Sequence, residues 1–108
     1  MRKTTAMQAA VVTMLVAKRP ALDSLPVRWE LRPDGVVYVE PTFKAGASDI
    51  AKIASELTRA MRGARTETYD IGTTYRVHEV SAQPSGVQVR FYGQHRLDSA
   101  FTEGGESA

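Results

Sequence analysis

The feature that most restricts the fold is a pair of short segments with strand-like alternation, joined by a tight-turn signal. Residues 27–32 (VRWELR) alternate apolar and charged side chains without a break, which is the period of a half-buried strand. Pro33-Asp34-Gly35 follows: proline fixes φ, aspartate favours a turn and glycine accepts a positive φ. Residues 36–40 (VVYVE) are rich in β-branched and aromatic side chains and predict the returning strand. The chain therefore contains an antiparallel hairpin with one face to bury.

A first helix is predicted before this hairpin, over residues 4–18. Its apolar positions recur at helical spacing and would form the buried side, namely Met7, Val11, Met14 and Leu15. Pro20 ends the pattern, and residues 21–26 are expected to form a loop. The basic start and apolar run also have the outline of a secretory signal, but Gln8 and Thr13 interrupt the run. We expect a helix of the core.

A second helix is predicted after the hairpin, from an N-cap at Ser48 to about residue 62, with Gly63 beyond its end. One side of this helix is apolar, with Ile50, Ile53, Ala54, Leu57, Ala60 and Met61. The other side is polar, with Lys52, Ser55, Glu56, Arg59 and Arg62. This clear division predicts an amphipathic helix that packs on the sheet.

The rest of the chain is predicted to be β-structure followed by a tail. Residues 66–71 predict a short strand, or the front of a longer one that is interrupted at Gly72. Residues 74–82 predict a better strand, and residues 87–92 alternate again after a turn. The predicted fold is a two-layer α+β sandwich of order α-β-β-α-β-β, with room for one extra short strand. Its sheet is antiparallel, with two helices packed on one face. Residues 1–97 make up one domain and residues 98–108 a flexible tail.

Composition places limits on the chemistry. The chain has 108 residues, of which 43% are hydrophobic and 24% charged, values typical of one globular domain. It contains no cysteine, which excludes disulfides, thiolate metal sites and cysteine nucleophiles and fits a cytoplasmic location. The net charge of +2 is small for a dedicated nucleic-acid binder. Arginine outnumbers lysine and alanine is abundant, which suggests a GC-rich bacterium or a phage as the source.

No catalytic, cofactor-binding or metal-binding motif is found in the sequence. The only histidines are His78 and His95. His78 and Glu79 are neighbours in a strand and would point to opposite faces, so they cannot share a metal ion. We therefore expect surface histidines, no cofactor and no enzymatic activity. No apolar run is long enough to predict a membrane span.

The predicted sheet leaves one face open, and that face is the candidate interaction surface. Alternation places on it Arg28, Arg32, Arg76, His78, Arg90 and Tyr92. Tyr38 joins them in one of the two orientations that the second strand allows, since Val36 with Tyr38 and Val37 with Val39 are both acceptable core sets. Such a face is a solvated surface, a protein interface or a nucleic-acid platform, since arginine and tyrosine occur in all three. We expect a small non-enzymatic binding or adaptor protein that contacts another protein or a second copy of itself as a homodimer. The alternative is a nucleic-acid-binding regulator that uses the arginines of the same face.

Overall fold

The computed structural model describes residues 3–97, so the predicted tail at 98–108 lies outside the described residues. Three helices lie against one sheet: α1 (Lys3–Lys18), α2 (Ala21–Ser24) and α3 (Ala47–Ala60). The strands of the sheet are β1 (Val27–Leu31), β2 (Val37–Pro41), β3 (Arg65–Ile71), β4 (Tyr75–Ala82) and β5 (Val89–Arg96). The predicted α+β class is confirmed, and the segment at 66–71 is a full strand, β3, separate from β4.

The sheet has five strands in the order β1-β2-β5-β4-β3 and is mixed rather than antiparallel. Strands β1–β2, β3–β4 and β4–β5 pair antiparallel, but β5 lies parallel to β2, with Tyr38 opposite Arg90. The prediction of a purely antiparallel sheet was wrong because turn signals describe only consecutive strands. Here α3 carries the chain from β2 to the far edge of the sheet, and the β3-β4-β5 meander then returns β5 to the side of β2.

The first hairpin forms as predicted, and α1 holds its turn. Gly35 has φ 92°, and the Asp34 carboxylate accepts a hydrogen bond from the Val36 amide at 3.0 Å. Gln8 is buried, and its Nε2 donates to the carbonyl oxygens of Arg32 and Val36, each at 2.9 Å. Gln8, which interrupts the apolar run of α1, therefore fixes the turn of the hairpin to α1 by two hydrogen bonds. Met7, which we expected in the core, is 46% exposed.

The core lies between the helices and one face of the sheet. From the helices it contains Val11, Leu15, Leu22, Ile50, Ile53, Leu57, Ala60 and Met61. From the sheet it contains Val37, Val39, Val80, Val89 and Phe91, with Trp29 partly buried against them. Leu22 comes from α2, a single turn where we predicted a loop; Pro20 at its N-cap holds helical φ and ψ, and burial of Leu22 stabilises the turn. The apolar stripe predicted for α3 is confirmed.

One acidic residue of α3 is buried, although the helical pattern placed it on the polar side. Glu56 is 6% exposed, and its carboxylate accepts two hydrogen bonds from Arg19, at 2.6 Å from Nε and 3.3 Å from Nη2. The hydrogen bond from Arg19 lowers the pKa of Glu56, and the same contact raises the pKa of Arg19. This ion pair joins the end of α1 to α3. Among residues 3–97, no helix is long and apolar enough to cross a membrane.

Candidate interaction face

The face of the sheet opposite the helices is uncovered by any described element, and we call it the open face. The chain has four tyrosines, and strand register places all of them, Tyr38, Tyr69, Tyr75 and Tyr92, on this face. Tyr69 and Tyr92 are 40% and 49% exposed. Val77 lies opposite Tyr69 and is fully buried, although it points away from the helical core. The open face therefore carries all four tyrosines and one buried apolar side chain.

Most of the predicted surface lies on the open face, but two residues do not. Arg28, Arg32, Tyr38, Arg90 and Tyr92 lie on the open face by strand register. Arg76 and His78 lie on the helix side, because Val80 pairs with Phe91 and His78 with Gly93, both of which face α3. Their predicted placement was one residue out of register. Alternation failed in β4 because Val77 and Val80 are both buried, one on each side of the sheet.

Two parallel rows of side chains cross the open face, and they differ in charge. The acidic row runs from edge to edge through Arg28, Glu40, Tyr92, Glu79 and Glu67. The basic row, two residues away along each strand, runs through Glu30, Tyr38, Arg90, Ser81 and Arg65. At the β3 side of the face, a pair of glutamates in one row is therefore adjacent to arginines in the other.

The charges near β1 are paired within the chain. Arg28 forms an ion pair with Glu40, and Arg32 lies 3.8 Å from Glu30 and 4.6 Å from the centre of the Tyr38 ring. These contacts hold the arginine side chains against their own sheet. They also lower the charge that this half of the face offers to an external phosphate.

The charges near β3 are not paired in this way. Glu67 lies directly opposite Glu79 across the β3–β4 ladder, an arrangement of like charges that disfavours pairing of the strands. Glu79 accepts a hydrogen bond from the Tyr69 hydroxyl, which raises the pKa of Tyr69 to about 12. Within residues 3–97, Arg65, Arg90, Glu67 and Glu79 form no ion pair. This half of the open face thus has charge of both signs available to a partner.

The two rows meet over a shallow groove of about 620 Å³ at the middle of the open face. Its floor is β2, β5 and β4, and its lining includes Tyr38, Glu40, Glu79, Arg90 and Tyr92. Both aromatic rings and charges of both signs are therefore reachable from one side of the sheet.

No protein-family model, curated protein or solved structure matches this chain. The function must be argued from the geometry of the molecule itself.

A second polar cluster lies on the helix side of the sheet. His78 and His95 face each other with their Nε2 atoms 3.2 Å apart, and the pKa of His78 is lowered by burial and by the charges of His95 and Arg76. Arg76 is paired with Asp70, at 2.8 Å between Nε and Oδ1. No local pattern in the sequence indicates this histidine pair, because it depends on the register of β4 and β5. No group of three or more histidine, cysteine or acidic side chains able to hold a metal ion occurs within residues 3–97.

Proposed function

We propose that this chain is a non-enzymatic protein-interaction domain that self-associates through its open face, with the acidic row of one copy against the basic row of the other. The observation that carries the proposal is the order of charges in the two rows. A two-fold contact must be self-complementary: where residue i of one copy contacts residue j of the second copy, residue j of the first copy also contacts residue i of the second. The open face meets this condition.

The complementarity follows from the register of the sheet. A two-fold axis in the plane of the interface, running across the strands between the two rows, superposes each row on the other row of the second copy. Glu67 then faces Arg65 of the second copy, Tyr92 faces Arg90, and Arg28 faces Glu30. Each contact occurs twice. In this arrangement Arg65 of the second copy lies opposite Glu67 and offsets the repulsion between Glu67 and Glu79. This favours association through the half of the face whose charges have no partner within the chain.

The size of the face suits a weak or moderate dimer. Five strands at a spacing of about 4.8 Å and about six residues in length give a face of roughly 24 by 20 Å. Two copies would therefore bury on the order of 1,000 Å² in plan, near the lower limit for a specific interface. Tyrosine and arginine are the residue types favoured at the centre of such interfaces.

Nucleic-acid binding is the alternative for the same face, and it is favoured by the presence of arginines and tyrosines together. The glutamates of the acidic row would lie against phosphates, and Arg28 and Arg32 already have carboxylate partners. Both points favour a protein partner. We further propose a cytoplasmic location and a bacterial or phage source, on the basis of the missing cysteine and the arginine-rich composition.

The decisive test is a charge exchange at one predicted contact, read by sedimentation velocity between about 5 and 500 µM protein, a span that brackets the affinities of small interfaces. Arg65→Glu and Glu67→Arg should each weaken dimerisation at least about tenfold, because each creates two like-charge contacts. The double exchange should restore dimerisation, since it returns opposite charges to both contacts.

Lys18→Glu is the matched control, because it makes the same change of charge on an exposed residue of α1. It should leave association unchanged. A wild-type protein that stays monomeric over the whole range, or single and double variants that associate equally, would refute the proposed interface. Fluorescence anisotropy with duplex and single-stranded probes at low salt tests the alternative. Salt-sensitive binding that is lost in Arg90→Ala would favour the nucleic-acid function.

A further inference from the structure

A pair of imidazoles on the helix side of the sheet has the geometry of a two-ligand metal site. His78 and His95 are the only histidines of the chain, and both are half-buried on adjacent strands. Their Nε2 atoms are 3.2 Å apart, whereas their ring centres are 5.3 Å apart with 23° between the planes. The rings therefore converge at their Nε2 atoms and diverge behind them.

These distances match two imidazoles bound to one tetrahedral ion. With metal–nitrogen distances of about 2.05 Å, the two nitrogens lie about 3.3 Å apart and the two ring centres about 5.2 Å apart. A face-to-face ring stack would instead bring the centres to within about 4 Å. The ring centres of His78 and His95 are thus farther apart than in ordinary stacking, as binding of both Nε2 atoms to one metal ion requires.

The remaining ring nitrogens determine which protons must move. His95 Nδ1 lies 3.3 Å from the carbonyl oxygen of Arg96, which can only accept, so His95 keeps its Nδ1 proton and leaves Nε2 as an acceptor. In the metal-free protein, His78 Nε2–H then donates to His95 Nε2. His78 Nδ1 lies 3.4 Å from the Thr68 hydroxyl, which can donate or accept. His78 can therefore transfer its proton to Nδ1 while Thr68 changes from donor to acceptor.

We propose that His78 and His95 form a bidentate site for a divalent first-row transition metal such as Zn²⁺, Ni²⁺ or Cu²⁺. The metal takes the place of the proton between the two Nε2 atoms, and that proton moves to His78 Nδ1, where the Thr68 oxygen accepts it. Water or an external ligand fills the other positions on the metal. Hydrogen bonds of this kind at the far nitrogen fix the ring and raise the affinity of histidine ligands.

The surroundings leave room for this site. The nearby Arg76 charge is offset by its bidentate contact with Asp70, at 2.8 and 3.3 Å. A hollow of about 230 Å³ reaches His78 from the side of α3 and is lined there by Ser55, Thr58 and Arg59. Neutral imidazole is the ligand that these metals prefer, and affinity should follow the order Cu²⁺ above Ni²⁺ and Zn²⁺.

Isothermal titration of the full, untagged chain at pH 7.5 with ZnCl₂ and with CuCl₂ tests the site. Wild-type protein should bind one ion per chain, copper more tightly than zinc. His78→Gln and His95→Gln should each weaken binding at least tenfold, and Thr68→Val by about tenfold through loss of support for the ring. Thr66→Val, on the same strand and face, is the matched control and should bind as wild type.

Nitrogen-15 NMR of the imidazoles gives a readout independent of affinity. His95 should carry its proton on Nδ1 with and without Zn²⁺, whereas His78 should move from the Nε2–H to the Nδ1–H form on titration. Circular dichroism establishes that each variant is folded. Equal binding by wild type and the His78→Gln/His95→Gln double variant would overturn the proposal, as would the absence of binding to wild-type protein at millimolar metal.

Discussion

Gly93 is the position where one added methyl group should have the clearest effect on stability. It lies buried on β5 and faces the first turn of α3. A Cβ at this position would come within 2.6 Å of Ile50 Cγ2 and 2.7 Å of Phe91 Cζ. Both distances are well below van der Waals contact, and the Ile50 methyl is attached to a stiff, β-branched side chain in a helix. Glycine is therefore required here by the close approach of α3 to the sheet.

The size of the effect follows from two opposing contributions. Replacement of glycine by alanine restricts the unfolded chain and would by itself stabilise the protein by about 0.4–1 kcal/mol. Overpacking of a fitted core costs about 1–3 kcal/mol. We expect Gly93→Ala to lower the free energy of unfolding by about 1–2 kcal/mol, a fall of about 0.5–1 M in the urea midpoint at an ordinary denaturant slope.

Urea unfolding followed by circular dichroism measures this change, and a double-mutant cycle tests its cause. Ile50→Ala alone should cost about 2–5 kcal/mol, since Ile50 is buried. In the Gly93→Ala background it should cost at least about 1 kcal/mol less, because it removes the clash. A stabilised Gly93→Ala variant, or strict additivity with Ile50→Ala, would refute the argument.

Three further predictions follow from polar contacts. The hydrogen bond from Arg19 lowers the pKa of Glu56 in the folded state. The contribution of Glu56 to stability is therefore present above its unfolded pKa and is lost as the pH falls through its folded pKa. The thermal unfolding temperature of Glu56→Gln should vary less between pH 6 and pH 3 than that of wild type. Tyr69 should ionise at a pH of about 12 and the Glu79→Gln variant at a lower pH, which ultraviolet titration against a Tyr69→Phe blank would detect. Gln8→Leu should cost about 1–3 kcal/mol, because it removes two hydrogen bonds that the buried Gln8 amide donates to the turn, each worth about 0.5–1.5 kcal/mol. Thr13→Ala on the exposed side of α1 should change urea stability by under about 0.5 kcal/mol, and equal losses would contradict the role of Gln8.

The sequence predicted local structure well because local signals produce it. The turn at Asp34-Gly35 and the stripe of α3 each depend on residues within one turn or two of one another. The parallel contact of β2 with β5 joins residues about fifty positions apart, and no turn residue encodes it. The end of β5 was also missed, since the alternation was followed only to Tyr92 and the strand continues through Gly93 to Arg96.

The candidate face was predicted in part, and the error has one physical cause. β2 and β5 each bury residues of a single parity, and in β5 the alternation of the sequence identifies the exposed side chains. β4 lies between β3 and β5 and has buried residues on both sides, Val80 beneath the helices and Val77 beneath the tyrosines. Hydrophobic pattern alone cannot orient such a strand. The same shift of one residue that removed Arg76 and His78 from the predicted surface brings His78 to His95.

The two proposed sites lie on opposite faces of the same two strands, and this makes them separable. Glu79 and Tyr92 belong to the acidic row, while their neighbours in sequence, His78 and Gly93, point to the helix side. A metal ion between the imidazoles would contact no residue of either row, so Zn²⁺ should leave the dimerisation constant unchanged within about twofold, as expected for sites without shared contacts. Likewise, Arg65→Glu should lose dimerisation and keep metal binding. If Zn²⁺ instead strengthened association, the coupling would have to pass through the register of β4 and β5, and metal binding by Arg65→Glu would then be weaker by the same factor.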